Sequence, residues 1–153
     1  MDINKRSIGK EIGILSRAAH TFFQYQFKNL SIGHSQVMTL HFICKHNGVS
    51  QNKLVQHFGL DKSSVTSQLN ILEKNGYITR EIDKDDSRGR KIFITKKTNA
   101  IKDFLDTKFS SWSKILLKGF DEVEKEKLFN LLDNMIINAH KAINELKNNE
   151  ENK

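Results

Sequence analysis

The chain has no proline and a single cysteine among 153 residues. Without proline the strongest helix breaker is missing, so helices must end at glycines and capping side chains. One thiol cannot close an internal disulfide. Cys44 lies in the apolar pattern VMTLHFICKH, which reads as a small buried hydrophobe rather than a redox switch. No apolar run approaches the ~18 residues that a membrane-spanning helix needs. The opening stretch MDINKRSIGKEIGILSRAAH is broken by charges and lacks the apolar core and cleavage site of an export signal. A cytoplasmic protein is expected. Catalytic signatures are missing as well: there is no phosphate-cradling glycine loop, no GxSxG and no HExxH. Enzymatic activity is not expected, nor is a cofactor.

What is present is charge, 28% of the residues, beside 37% hydrophobic residues, a balance that excludes a disordered tail. The net charge is +7, and its distribution is uneven. Residues 31–100 carry eleven cations against six anions, whereas residues 101–153 carry nine against ten. An excess concentrated in the first two thirds suits a polyanionic partner, although lysine-rich solubility accounts for charge alone.

The apolar spacing then divides the chain. Ile8, Ile12, Leu15, Ala19 and Phe22 recur at steps of four and three, predicting a helix over about 5–29. Gly33 can open a second helix carrying Val37, Leu40 and Cys44, which Asn47-Gly48 ends. Ser50 caps a third, with Val49 and Leu54 at hydrophobic-staple positions, and Gly59 stops it after two turns. Asp61 caps a fourth that runs to Gly76 with Val65, Leu69 and Leu72 inward. A short helix, a tight glycine turn and a capped helix make a helix-turn-helix, or an ordinary helical hairpin.

The segment after Gly76 favours the helix-turn-helix. YITREI sets Ile78, Arg80 and Ile82 on one side of a strand, KIFIT sets Ile92 and Ile94 on one side of another, and the polar DKDDSRGR joins them as a wing. Thr95 can cap a further helix with Ile101, Leu105, Trp112 and Leu116 inward. Asp121 and Glu124 form a capping box before a long stripe, Val123, Leu128, Leu131, Met135, Ala139, Ala142 and Leu146. Such apolar terminal helices exceed what a small winged core can cover, so the same helices of a second subunit are the expected cover.

In this order of parts the chain resembles the MarR/SlyA family of winged-helix transcriptional regulators over nearly its whole length. The most specific element is the wing signature Asp86-Ser87-Arg88-Gly89-Arg90-Lys91-Ile92-Phe93-Ile94-Thr95, supported by LDKSSVTSQLNILEKNGYITR. Departures are Ser67 and Ile71, where the family often has arginine, Lys84, where a wing proline is common, and Thr98, where a glycine often stands. The resemblance implies a mainly α fold with a small β-hairpin wing. It implies one domain over 1–153, with a DNA-binding region at about 33–95 and dimerisation helices at about 5–30 and 96–147. It further implies a homodimer acting on duplex DNA, often released by a small phenolic or otherwise amphipathic effector. The family's pocket location would put Phe22, Phe23, His41 and Phe42 near such a ligand.

The residues support this independently. At ~100° per residue the face opposite Val65, Leu69 and Leu72 carries Ser63, Ser67, Asn70 and Lys74, flanked by Ser64 and Thr66. Short hydroxyls and amides let a helix approach base edges in the major groove. Gln68 lies nearer the buried edge. Arg88 and Arg90 at a hairpin tip can enter a minor groove, with Asp86 orienting Arg88. Lys91, Lys96 and Lys97 are candidates for phosphates, which position without specifying. The candidate DNA-binding set is therefore Ser63, Ser64, Thr66, Ser67, Asn70, Arg88, Arg90 and Lys91. Two such heads on a dimer read half-sites about one helical turn apart, a pseudo-palindrome, and a repressor is the expected role. Two alternatives stay open. One is a metal-responsive regulator of the same fold using His20, His34, His41 or His46, although no Cys/His pair has structural zinc spacing. The other is a helical dimeric module that never binds DNA.

Overall fold

The computed structural model describes residues 6–82 and 89–151. Its contacts divide the chain into two compact units, Met1–Trp112 and Ser113–Lys153.

The first unit opens with α1 (Ile8–Gln26), capped by Ser7, whose side chain accepts from the Lys10 amide. A single 3-10 turn, Lys28–Leu30, leads to α2 (His34–Lys45), with Gly33 at its N-cap. Then come β1 (Val49–Ser50), α3 (Gln51–Phe58), α4 (Lys62–Lys74), β2 (Ile78–Ile82), β3 (Arg90–Ile94) and α5 (Lys96–Leu116), the last of which crosses into the second unit. The caps are those expected. Ser50 accepts from the Lys53 amide, Asp61 accepts from the Ser64 amide, and Gly59 ends α3 in the left-handed region at φ 60°. That conformation favours a residue without Cβ, and it lets α3 turn into α4 within three residues.

The core gathers one face from each element. Phe23, Phe27, Val37, Leu40, Ile43, Leu54, Val65, Leu69, Leu72, Ile78, Ile92 and Leu105 are all buried. Cys44 is buried with them and unpaired, and burial pushes its thiol up to about 11, the behaviour of a small core hydrophobe. The sheet has three strands in the order β1-β3-β2, all antiparallel, where two were expected. Only Val49 and Ser50 form the extra strand, pairing with Ile92 and Lys91. Two residues carry no readable alternation. The junction is completed by Asn47, whose side-chain oxygen accepts from the Ile94 amide at 2.9 Å, and by the Gly48 amide, which donates to the Ile92 carbonyl at 2.8 Å.

Tyr77 and the start of α5 lock the hairpin to the end of α4. The Thr95 hydroxyl donates to the Gly76 carbonyl at 2.7 Å, and the fully buried Thr98 hydroxyl donates to the Tyr77 carbonyl at 2.5 Å. Thr98 therefore uses its hydroxyl where a glycine would leave that carbonyl one partner fewer.

One apolar face is left uncovered in the single chain, in keeping with a terminal helix that needs a cover, and one strand departs from its alternation. Ile8, Ile12 and Leu15 of α1 are exposed, and only Ala19 and Phe22 of that stripe pack on the core. On β2, Ile78 is buried but Ile82 is 67% exposed. Burial falls along β2 from Ile78 through half-buried Arg80 to Ile82, so alternation at its end no longer predicts burial.

In the second unit the backbone turns through Gly119 at φ 92°. The Asp121 carboxylate accepts the Glu124 amide at 2.8 Å, while the Glu124 carboxylate accepts the Asp121 amide at 3.0 Å, the capping box in full. Helix α6 (Glu122–Glu151) comes next. Val123, Phe129, Leu131, Leu132, Ile136, Ile137, Ile143 and Leu146 are exposed along it. Among the described residues, no helix is long and apolar enough to cross a membrane.

Candidate nucleic-acid interface

Helix α4 presents the polar face its spacing predicts. Ser63, Ser67, Asn70 and Lys74 are exposed, Ser64 and Thr66 are half-buried, and Val65, Leu69 and Leu72 seal the opposite side. Gln68 points its amide oxygen at α2, where the Thr39 hydroxyl donates to it at 2.5 Å. It is a strut between helices.

The individual groups are not equivalent. The Ser63 hydroxyl donates to Asp61 Oδ1 at 2.5 Å and the Ser64 hydroxyl donates to Asp61 Oδ2 at 2.6 Å. Together with the Ser64 amide these bonds hold the Asp61 carboxyl well below the usual carboxylate range. With their protons committed to Asp61, the two serines keep acceptor lone pairs to offer. Thr66 accepts from the Gln51 side-chain amide at 2.7 Å and donates to the Lys62 carbonyl at 2.7 Å, so its methyl is what remains. Ser67 has no side-chain hydrogen bond among the described residues.

The amide of Asn70 has a partner that its spacing does not announce. Arg80, on β2, donates through Nη2 to Asn70 Oδ1 at 2.8 Å and through Nε to Glu73 Oε2 at 3.0 Å; Nη2 also donates to Glu73. The Glu73 carboxyl is held below its ordinary range, first by these bonds from Arg80 and in small part by the charge of Arg90. Strand alternation gives Arg80 only a side of β2 and no role in the site. The available signal is a helix face bearing Asn70 and Glu73 three apart, with a cation at the third residue of the next strand.

On the wing side, Arg90 is exposed at the start of β3, opposite Ile82. Lys91 is half-buried and in register with Glu81. Arg88 and Asp86 lie outside the described residues. Lys97, a candidate for phosphates, donates its ammonium to the Asn75 carbonyl at 2.7 Å and sits 4.2 Å from the Tyr77 ring centre. In the free chain it caps the end of α4.

Away from this face, a cleft of about 550 Å³ is lined by His20, Phe23, Phe27, Lys28, His34 and Ile71, among others. Of the side chains expected near a ligand, Phe23 lines it. His41 is held by Asp106 at 2.9 Å and stacked on Phe109, while Phe42 stacks on His46 and His57. The His34 Nδ1 is buried without a partner among the described residues, and burial, then the His20 charge, lower the His34 pKa. Among the described residues no three His, Cys, Asp or Glu side chains converge on a metal-sized site.

Comparison with known proteins agrees with this geometry. The MarR family model matches residues 30–89. The chain is 28% identical over 123 residues to YybA, an uncharacterized HTH-type transcriptional regulator of Bacillus subtilis, spanning 80% of this chain and 82% of that one. A MarR protein from Peptoclostridium difficile superposes with a TM-score of 0.84 at 26% identity, covering 93% of each chain. A MarR family transcriptional regulator from Listeria monocytogenes, solved with a 26mer DNA, superposes with a TM-score of 0.84 at 27% identity, covering 90% of this chain and 91% of that one.

Proposed function

We propose that the chain is a winged-helix transcriptional regulator of the MarR family, to which its residues 30–89 and its fold are similar, and that it represses transcription as a homodimer seated on a pseudo-palindromic operator. Helix α4 enters the major groove with Ser63, Ser64, Thr66, Ser67 and Asn70 toward base edges, and the wing carries Arg88, Arg90 and Lys91 to the flanking groove and phosphates. The observation that carries this reading is the exposed row Ser63, Ser67, Asn70 and Lys74 on a capped helix whose reverse side is fully buried. The complex of the Listeria relative with DNA supports the same use of the fold.

The exposed apolar faces of α1 and α6 support self-association, since uncovered leucine and isoleucine rows of that length are costly in water. Release comes from a small amphipathic effector in the cleft beside His20, Phe23 and His34, where aromatic walls meet the ammonium of Lys28. Ile71 of α4 lines the same cleft, so a ligand there touches the recognition helix directly.

Selection of bound duplexes from a random pool at near-physiological salt tests the proposal. Enrichment of an inverted repeat with half-sites about ten base pairs apart is the expected result. Salt-sensitive retention of every duplex without enrichment would leave only nonspecific electrostatics and remove the base-reading roles.

A further inference from the structure

Asparagine ordinarily reads adenine, because its carbonyl oxygen accepts from N6 while its amide nitrogen donates to N7 in one plane. Asn70 is biased away from doing so, because one of its two carbonyl lone pairs is already engaged. Its Oδ1 is held by Arg80 Nη2 at 2.8 Å, and Arg80 is itself anchored to Glu73 and only 15% exposed along its side chain. The opposite amide orientation would set the –NH₂ group against a guanidinium, donor against donor, so this contact selects one orientation of the amide.

The exposed α4 face therefore presents the Asn70 Nδ2 hydrogens, with the carbonyl turned toward the strand. We propose that Arg80 is a positioning residue that turns Asn70 from an adenine reader into one that meets the groove chiefly as a donor, which favours guanine. Guanine is the base whose major-groove edge offers two acceptors, N7 and O6, and no donor. Adenine sets an amine beside its N7, and that amine finds on Asn70 only the one carbonyl lone pair left beside the Arg80 bond, a poorer match than either guanine acceptor makes with the Nδ2 hydrogens. The inference rests on α4 facing the major groove, and it names the base class that one position on this face takes.

Base preferences selected from a randomised duplex pool test it, using the full-length protein and its variants. The wild-type protein enriches guanine at one base pair in each half-site, and Asn70→Ala flattens the preference there by roughly two- to tenfold, the worth of one or two hydrogen bonds, leaving other positions unchanged. Arg80→Met removes the guanidinium and moves the preference at that same pair toward adenine, a change that loss of stability alone does not produce. Asn70→Asp, on an exposed helical face, needs no core rearrangement and keeps the Arg80 contact. It replaces the outward donor by an acceptor and turns the preference toward the amine-bearing cytosine or adenine.

Adenine at the pair that Asn70→Ala flattens overturns the proposal. So does an Arg80→Met profile that is weaker on every duplex but unchanged in shape. Failure of the underlying DNA reading looks different: the wild-type protein then enriches no sequence at any position, and both readings fall.

Discussion

The Tyr77 hydroxyl donates to the Leu30 carbonyl at 2.7 Å, a bond between residues 47 positions apart. It ties the entrance of β2 to the turn between α1 and α2. The ammonium of Lys97 lies over the same ring, and Thr95 and Thr98 donate to the Tyr77 carbonyl. One residue thus joins the end of the recognition helix, the hairpin and two other helical segments. Tyr77→Phe keeps the ring and removes one donor, leaving the Leu30 carbonyl short of a partner. The expected cost is about 1 kcal/mol of folding stability, measured by urea denaturation. An unchanged midpoint would refute the strut.

Asp61 organises the first turn of α4. Asp61→Ala releases the Ser64 amide and both serine protons, so the first turn frays and operator affinity falls. Faster amide exchange at Ser64 is the direct readout. Asp61→Asn retains an accepting oxygen and keeps most of the capped turn. Equal exchange in the alanine variant and the wild-type protein would show that the cap does not hold the helix start.

Acid should weaken the fold in two separate windows. The imidazoles of His34 and His41 are both held below the ordinary value, His34 by burial and then by the His20 charge, His41 by burial that outweighs the bond from Asp106. The unfolded chain then binds protons more readily than the folded one. Their contribution is complete above the ordinary imidazole pKa of about 6.5 and is lost as pH falls through the lower folded values. The Asp106 carboxyl is held low by bonds from Lys45 and then His41, and its contribution disappears only below about pH 4. Urea midpoints should therefore fall between pH 7.5 and 5.5, less steeply in a His34→Gln, His41→Gln double variant. A flat profile for the wild-type protein would contradict the assignment.

Arg90 and Lys97 separate binding from stability. Arg90→Ala should weaken operator binding by about 1–3 kcal/mol at matched salt, measured by fluorescence anisotropy, with little change in melting temperature. Lys97→Ala should do the reverse, because its ammonium is engaged with the Asn75 carbonyl and the Tyr77 ring. Equal affinity losses for the two would place them both on the phosphates.

If the chain is the proposed homodimer, the apolar face of the long final helix should set its association state. Leu131 and Ile136 are each about half exposed on the single chain. A Leu131→Glu, Ile136→Glu variant should sediment near the 17.7 kDa mass of one chain, and the wild-type protein should sediment at twice that. Loss of operator binding should accompany the change, since one head reads only one half-site. A variant that remains dimeric would move the interface elsewhere.

Much of this molecule was determined by its sequence alone, and the reason is local. With no proline, helix ends fall to capping groups, and Ser50, Gly59, Asp61 and the Asp121–Glu124 pair act within a few residues of where they stand. The buried and polar faces of α4 likewise arise from a period that needs no distant partner. Tertiary structure alone decided what depends on contacts between remote segments. It recruited Val49 and Ser50 as a third strand and engaged Lys97 at the end of α4. It left Ile82 in the open at the end of β2, although Ile78 on the same side is buried. It also set Arg80 against Asn70, because a guanidinium ten residues along the chain reaches that amide only once β2 has folded back over the helix. Spacing determines which side chains share a face, while packing determines which of their donors and acceptors are still free to meet DNA.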